Sequence, residues 1–175
     1  IIKTKLKMNL IAETAWHHDG DINFFLKLVE TICLKTKCDY IKYHVTLDVD
    51  EYMHIDHPGY EWAKERVLTQ DEWKDIFDLT EKHGKKLMLL FNDKRSIEFG
   101  MQFNPDLVEI HSVCLNDINL LKSLKNTIGN KPTKIVLGVG GTDLYEIEYA
   151  INFLENDNIV MMHGFQNYPT EYKDI

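Results

Sequence analysis

The chain comprises 175 residues, of which 44% are hydrophobic and 27% are charged. This length is sufficient for one domain with a buried core, and the composition excludes a disordered chain and a coiled coil. The formal net charge of -8 offers no basic surface for the phosphates of nucleic acid, so we expect small molecules as partners.

The cysteines and the apolar runs indicate the location of the protein in the cell. Cys33, Cys38 and Cys114 form an odd set without the paired spacing of a metal site. The chain begins with no apolar signal segment, and no apolar run approaches the roughly 20 residues that cross a bilayer. We therefore expect a cytoplasmic protein without a membrane partner.

Short β-rich runs alternate with longer amphipathic stretches, a pattern typical of a parallel sheet with crossover helices. The predicted strands are Asn9 to Ala15, Asp39 to Val45, Lys86 to Phe91, Leu107 to Ser112, Lys134 to Val139 and Ile159 to His163. The predicted helices are Ile22 to Lys35, Gln70 to His83, Ser96 to Phe103, Asp117 to Ile128 and Leu144 to Glu155.

The segments between these elements carry their own signals. Gly84 and Gly129 follow two helical patterns, where a left-handed stop residue is expected. Asn116 and Thr142 are predicted N-caps, because their short polar side chains accept backbone N–H groups. The aromatic and acidic stretch from Asp48 to Thr69 is predicted to be a long loop on the catalytic rim.

Six strands in this order predict an α/β fold, a parallel (β/α) barrel of the TIM type that is incomplete. A complete barrel has eight strands and about 250 residues. We expect residues 1–175 to form one barrel domain that is truncated at its C-terminal side, with an open strand edge.

Three motifs resemble the N-acetylneuraminate (sialic acid) synthase family, NeuB. Ile11-Ala12-Glu13 with His17-His18-Asp19-Gly20-Asp21 is similar to the family's opening strand and turn, I-A-E-x-x-x-N-H-x-G-D. The segment Asp39-Tyr40-Ile41-Lys42-Tyr43-His44 is similar to the family's second strand, A-V-K-F-Q. The segment from His163 to Thr170 resembles H-C-x-S-x-Y-P-T after the sixth strand.

The resemblance implies a transferase of acidic-sugar and surface-polysaccharide biosynthesis. Such an enzyme condenses phosphoenolpyruvate with an N-acyl hexosamine, uses a divalent metal such as Mn or Mg, and works as a homodimer. The resemblance places Glu13, Lys42, Gln166 and Tyr168 in the substrate pocket, with Glu13, Lys42 and Tyr168 as catalytic residues. In the family, the histidines that bind the metal come from strands seven and eight, beyond this chain.

This sequence departs from the family pattern in the third to fifth strands. Glu109 stands where the family has a second phosphate-binding lysine, and Cys114 where it has a glutamate for proton transfer. Leu89-Leu90 replaces the S-T of the third strand, and Ser112 is retained as a substrate-binding candidate. Two unit charges roughly 4 Å apart interact by about 4 kcal/mol at an effective dielectric constant of ~20, so Glu109 repels phosphate.

Lys42 has two interpretations, because an unpaired charge inside a protein is costly. It is either a clamp for the phosphate or carboxylate of a ligand, or the partner of Glu13 or Glu109 in an internal salt bridge. His163, Gln166 and Tyr168 are further substrate-binding candidates at the sixth strand.

Histidines gather at the predicted carboxyl ends of the strands. We hypothesise a metal site built from His44, His111 and His163 with Glu13 or Glu109, because imidazole and carboxylate groups suit zinc, manganese or iron. Three functions then remain open: a nonulosonate synthase, a degenerate paralogue that binds a sugar or a partner without catalysis, and a metal-dependent aldolase or isomerase on the same barrel.

Overall fold

The computed structural model describes residues 8–165 and 171–174. In them, six parallel strands form one sheet in the order β1-β2-β3-β4-β5-β6. The strands are β1 (Ile11–Glu13), β2 (Tyr40–Val45), β3 (Lys86–Phe91), β4 (Leu107–Ile110), β5 (Lys134–Gly138) and β6 (Ile159–Met162). The sheet is a curled, incomplete barrel, so the predicted fold class and all six strands are confirmed.

Helices connect the strands on the outer side of the sheet. They are α1 (Ile22–Lys35), α2 (Val49–Tyr52), α3 (Tyr60–Lys64), α4 (Gln70–Lys82), α5 (Lys94–Gly100), α6 (Ile118–Ile128) and α7 (Leu144–Leu154). Short 3-10 turns follow α5 at Met101–Phe103 and β4 at Ser112–Cys114. The five predicted helices are therefore present, with ends that differ by a few residues.

The outer face of the sheet carries the main hydrophobic core. Residues at alternate positions of the strands, such as Ile41, Tyr43 and Leu89, pack under the apolar stripes of the helices. Trp73 of α4 lies at the centre of this core, with its ring centroid 5.7 Å from those of both Phe25 and Phe77.

The inner face of the sheet is different in character. A small apolar cluster of Tyr40, Met88 and Val136 covers part of it. Parallel register places Glu13 beside Lys42, and His44 beside Leu90, and paired residues in adjacent parallel strands point to the same face. The polar residues of the first and second strands therefore share the inner face.

Two predicted N-caps are wrong by one residue. Asp117 caps α6 by accepting the backbone N–H groups of Asn119 and Leu120, and Asp143 caps α7 by accepting that of Glu146. The neighbours Asn116 and Thr142 were the predicted caps, but a carboxylate also interacts favourably with the positive end of the helix dipole. The predicted stops at Gly84 and Gly129 both have positive φ, 69° and 49°.

The segment from Asp48 to Thr69 is not the loop that the sequence predicts. It contains the short helices α2 and α3, and the Tyr60 hydroxyl of α3 donates a hydrogen bond to Asp50 of α2. The segment follows the carboxyl end of β2, as expected for the rim. Within residues 8–165 and 171–174, no helix has the length and apolarity required to cross a membrane.

Candidate functional site

A buried ion cluster occupies the inner face of the sheet. The Lys42 ammonium lies 2.8 Å from Oε2 of Glu109 and 3.3 Å from Oε1 of Glu13. Lys42 is 5% exposed and Glu109 is 3% exposed, whereas the Glu13 side chain is 47% exposed. The salt-bridge interpretation of Lys42 therefore describes this structure, and both carboxylates take part in it.

Glu13 also binds His44. Nε2 of His44 lies 2.7 Å from Oε1 of Glu13, the oxygen that faces Lys42. The hydrogen bond from His44 and the charge of Lys42 lower the pKa of Glu13 to about 2, although burial opposes the shift. An ionised carboxylate only accepts hydrogen bonds, so Nε2 of His44 carries the proton. In the neutral ring Nδ1 is then a lone-pair acceptor.

Glu109 is the most enclosed carboxylate of the cluster. In the sheet, its strand neighbours Leu90 and Val136 are apolar. Burial raises the pKa of Glu109, and the Lys42 charge opposes that rise. Its Oε2 pairs with the Lys42 ammonium and has no further hydrogen-bond partner among the described residues.

The predicted metal site is not formed. Among residues 8–165 and 171–174, no group of three or more His, Cys, Asp or Glu side chains could hold a metal ion. His44 is bonded to Glu13, Nδ1 of His111 accepts the backbone N–H of Val113, and His163 is exposed beside Phe165. The aldolase or isomerase hypothesis, which relied on these histidines, loses its support.

His111 nevertheless belongs to the same electrostatic environment. Burial lowers its pKa, and the nearby His44 and Lys42 lower it further. A neutral imidazole at the end of β4 therefore borders the ion cluster.

Ser112 begins the turn that follows β4 and is buried. The end of β5 approaches it so closely that a Cβ on Gly138 would lie 2.8 Å from the Ser112 backbone nitrogen. A side chain at position 138 would collide with this backbone, so the glycine allows the two strand ends to pack together.

Two other residues that resemble site groups have structural roles. Burial raises the pKa of the Cys114 thiol to about 11, so at neutral pH it is protonated and not a nucleophile. Burial lowers the pKa of His18 to about 4, and its Nδ1 accepts the backbone N–H of Gly20. His18 is thus a neutral core residue of the turn after β1.

The structure brings together Glu13, Lys42, His44 and Glu109 and leaves His163 apart. Gln166 and Tyr168 lie outside the described residues, so their predicted roles stay predictions. The residue pair missed by the sequence analysis is Glu13 with His44, which had been assigned to a metal. The sequence gives only part of the signal: strand alternation places Lys42 and His44 on one face, and the register that sets Glu13 beside Lys42 is seen only in the structure.

Comparison with known protein families gives a match that covers most of the chain. The NeuB family matches residues 31–175. An uncharacterized protein of Methanocaldococcus jannaschii is 28% identical over 169 residues, which cover 95% of this chain and 48% of that protein. N,N'-diacetyllegionaminic acid synthase of Legionella pneumophila is 23% identical, with 95% of this chain and 51% of that protein covered.

Solved structures show the same fold. N-acetylneuraminic acid (sialic acid) synthetase from Leptospira borgpetersenii, in complex with citrate, superposes with a TM-score of 0.83 at 18% identity. The match covers 94% of this chain and 56% of that one. A truncated 3-deoxy-D-arabino-heptulosonate 7-phosphate synthase from Thermotoga maritima superposes with a TM-score of 0.63 at 9% identity.

The chain spans about half the length of the curated relatives that it matches. The family match, in contrast, extends from the first helix through the sixth strand to the last residue. The chain therefore belongs to the NeuB family.

Proposed function

We propose that the protein takes part in acidic-sugar biosynthesis by condensing phosphoenolpyruvate with an N-acyl hexosamine. The observation that carries this proposal is the buried ammonium of Lys42 on the inner face of the barrel, which contacts Glu13 at the carboxyl end of β1. Chemistry in barrels of this type takes place at that end. The names of the legionaminic and sialic acid synthases among its relatives support the same substrate class.

The condensation needs an anion site and a proton acceptor. The enol carbon C3 attacks the aldehyde carbon of the open-chain sugar, the new C–C bond forms, and the aldehyde oxygen takes up a proton. Water then adds to C2 and loses one proton, the C–O bond to phosphate breaks, and the second proton of that water leaves with the phosphate, so that a 2-keto acid and inorganic phosphate are formed. Lys42 would bind a carboxylate or phosphate oxygen of phosphoenolpyruvate, since a buried ammonium favours an anionic partner.

His44 is suited to accept the proton of the attacking water. Glu13 holds Nε2 of His44 as a donor, which leaves Nδ1 as the basic nitrogen. The His44 side chain is mostly buried, with 14% of its surface exposed, and in this proposal its Nδ1 faces the bound ligand. Glu13 thus orients both the cation and the base through one oxygen atom.

The family relationship implies a divalent ion such as Mn or Mg. The described residues do not fit it, because no three ligands cluster in them, and we assign no step to an ion. Ser112 and His163 remain proposed substrate-binding residues at the ends of β4 and β6. Gln166 and Tyr168, and the assembly into a homodimer, are proposed on the family resemblance alone.

The test is consumption of phosphoenolpyruvate by the purified protein, together with any segment that its gene encodes on either side of this chain. N-acetylmannosamine and related N-acyl hexosamines are supplied, and phosphate release is followed. We expect turnover that Lys42→Met abolishes and that Lys122→Met, an exposed lysine of α6, leaves unchanged. No phosphate release with any N-acyl hexosamine would contradict the proposal.

A second candidate function is binding of an N-acyl sugar without catalysis. The close pairing of Lys42 with Glu109 favours it, because a neutralised ammonium binds phosphate weakly. This candidate predicts a higher melting temperature in the presence of N-acetylmannosamine and no phosphate release. Stabilisation by phosphoenolpyruvate would argue against it.

A further inference from the structure

Glu109 contacts the ammonium group of Lys42, which is the group that would bind a ligand anion. Its Oε2 is 2.8 Å from the ammonium, closer than the 3.3 Å of Glu13. Glu109 lies on the strand-four position at which the resemblance places a second lysine. The charge at that position is therefore opposite to the one that would assist phosphate binding.

The two carboxylates differ in what happens when a ligand anion arrives. Glu13 is half-exposed, so water can solvate its charge if the contact with Lys42 is broken. Glu109 is 3% exposed and has apolar neighbours on both adjacent strands. Lys42 is the counter-ion of this buried charge, so a ligand anion competes with Glu109 for the same ammonium and is also repelled by it.

We propose that Glu109 is a specificity-determining residue that lowers the affinity of the Lys42 site for phosphate-bearing ligands. The proposal rests on the proposed function in that phosphoenolpyruvate would be such a ligand. Glu109 acts as an internal substitute for the anion: it neutralises Lys42 in the free protein, and a phosphate group binds only by displacing it. The site thereby favours ligands whose binding energy comes from groups besides phosphate.

Titration with inorganic phosphate tests this without any need for turnover. Glu109→Gln removes the competing charge and keeps the shape of the side chain, while Glu13 remains to pair with Lys42. We expect phosphate to bind about tenfold or more tightly to this variant than to the unchanged protein, as a hydrogen bond to a charged group implies. Glu98→Gln, at an exposed position of α5, makes the same change in net charge and should bind phosphate as the unchanged protein does.

A double variant tests whether the gain in phosphate affinity depends on Lys42. In the double variant Lys42→Met with Glu109→Gln, the gain in phosphate affinity should disappear. A gain that persists without Lys42 would overturn the proposal, because the anion would then bind elsewhere. Equal phosphate affinity of Glu109→Gln and the unchanged protein would overturn it as well.

A measurement on the unchanged protein covers the case in which the variants do not fold. With ¹³C-labelled glutamate side chains, saturating phosphate should shift the carboxyl resonance of Glu109, because the anion separates the pair. An unmoved resonance at saturation overturns the proposal. These results are separate from those of the proposed function: phosphate release from phosphoenolpyruvate tests the reaction, and binding of inorganic phosphate tests the role of Glu109.

Discussion

The two faces of the sheet are built on different principles. The outer face is almost wholly apolar: Ile41, Tyr43 and Val45 of β2 are all buried against the helices. On the same strand, the inner face carries Lys42, which contacts Glu13 of β1 and Glu109 of β4, and His44, which contacts Glu13. One strand thus supplies packing on one side and an ion cluster on the other.

The difference separates what the fold requires from what the site requires. Burial of apolar area stabilises the outer face in proportion to its extent, with little dependence on exact geometry. A buried ion cluster contributes little net stability, because desolvation offsets the Coulomb attraction. The charges of the inner face are therefore better explained by a ligand than by folding.

The largest expected effect is on the outer face. Trp73 is 1% exposed and packs on Phe25, Tyr43 and Phe77. Trp73→Ala should lower the free energy of unfolding by about 4 kcal/mol through lost burial and the cavity that remains. Urea denaturation followed by circular dichroism measures this change.

The matched control is Trp62→Ala, since Trp62 is 45% exposed. Its effect should be smaller, about 1–2 kcal/mol, because nearly half of its surface is already in water, although the ring contacts Trp16 and the Arg66 guanidinium. If the two substitutions lowered the free energy of unfolding by similar amounts, the division of the molecule into a packed outer face and a solvent-facing rim would be contradicted.

The next effect concerns the inner face. Lys42→Met leaves Glu109 buried without its counter-ion and should cost about 3 kcal/mol at neutral pH. The loss should shrink on acidification: burial raises the pKa of Glu109 above that of the unfolded chain, so protonation of the folded variant removes the buried charge. Urea denaturation at several pH values measures this.

A double-mutant cycle provides the control for that prediction. Lys42→Met combined with Glu109→Met replaces the pair by apolar groups, which restores a matched interior. The double variant should be more stable than Lys42→Met alone. A double variant less stable than Lys42→Met would mean that the inner face contributes to folding as the outer face does. That result would contradict the distinction drawn between the two faces.

A smaller effect is expected at the start of α4. The Thr69 hydroxyl accepts the backbone N–H of Glu72, and the Glu72 side chain accepts that of Thr69. Thr69→Ala removes half of this capping box and should cost about 1 kcal/mol, measured by urea denaturation. Thr31→Ala, at an exposed position within α1, should change the stability much less.

The sequence predicts most of the fold because the outer face is periodic. The bounds of α1 and β3 agree with prediction at both ends, and the alternation of elements is sufficient to give a parallel sheet. The errors occur where one polar residue competes with its neighbour. Asn116 and Asp117 are both able to cap a helix, and only the backbone geometry decides which does.

The site is less predictable for a physical reason. Strand alternation places Lys42 and His44 on one face of β2, but it does not give the distances between strands that decide which charges pair. His44 was assigned to a metal because imidazole is a common metal ligand, whereas the structure pairs it with Glu13. Pairing depends on the twist and register of adjacent strands, which composition and spacing do not specify.

The smallest expected effect tests Glu13, the carboxylate that lies between the two environments. Its pKa in the folded protein is about 2, below the ordinary value of 4.5. A lowered folded pKa contributes stability that is present above pH 4.5 and is lost as the pH falls towards 2. Because the side chain is 47% exposed, solvent screens the interaction, and we expect a contribution below about 1 kcal/mol.

Glu13→Gln should therefore flatten the pH dependence of the melting temperature between pH 5 and pH 2, an interval of about three units around these pKa values. Glu98→Gln is the control, as an exposed carboxylate of α5. A Glu13→Gln curve parallel to that of the unchanged protein would contradict the pairing of Glu13 with His44 and Lys42. A flattened curve would show that the charges of the inner face interact even at Glu13, where they are open to water. The apolar outer face carries no such pH-dependent interaction.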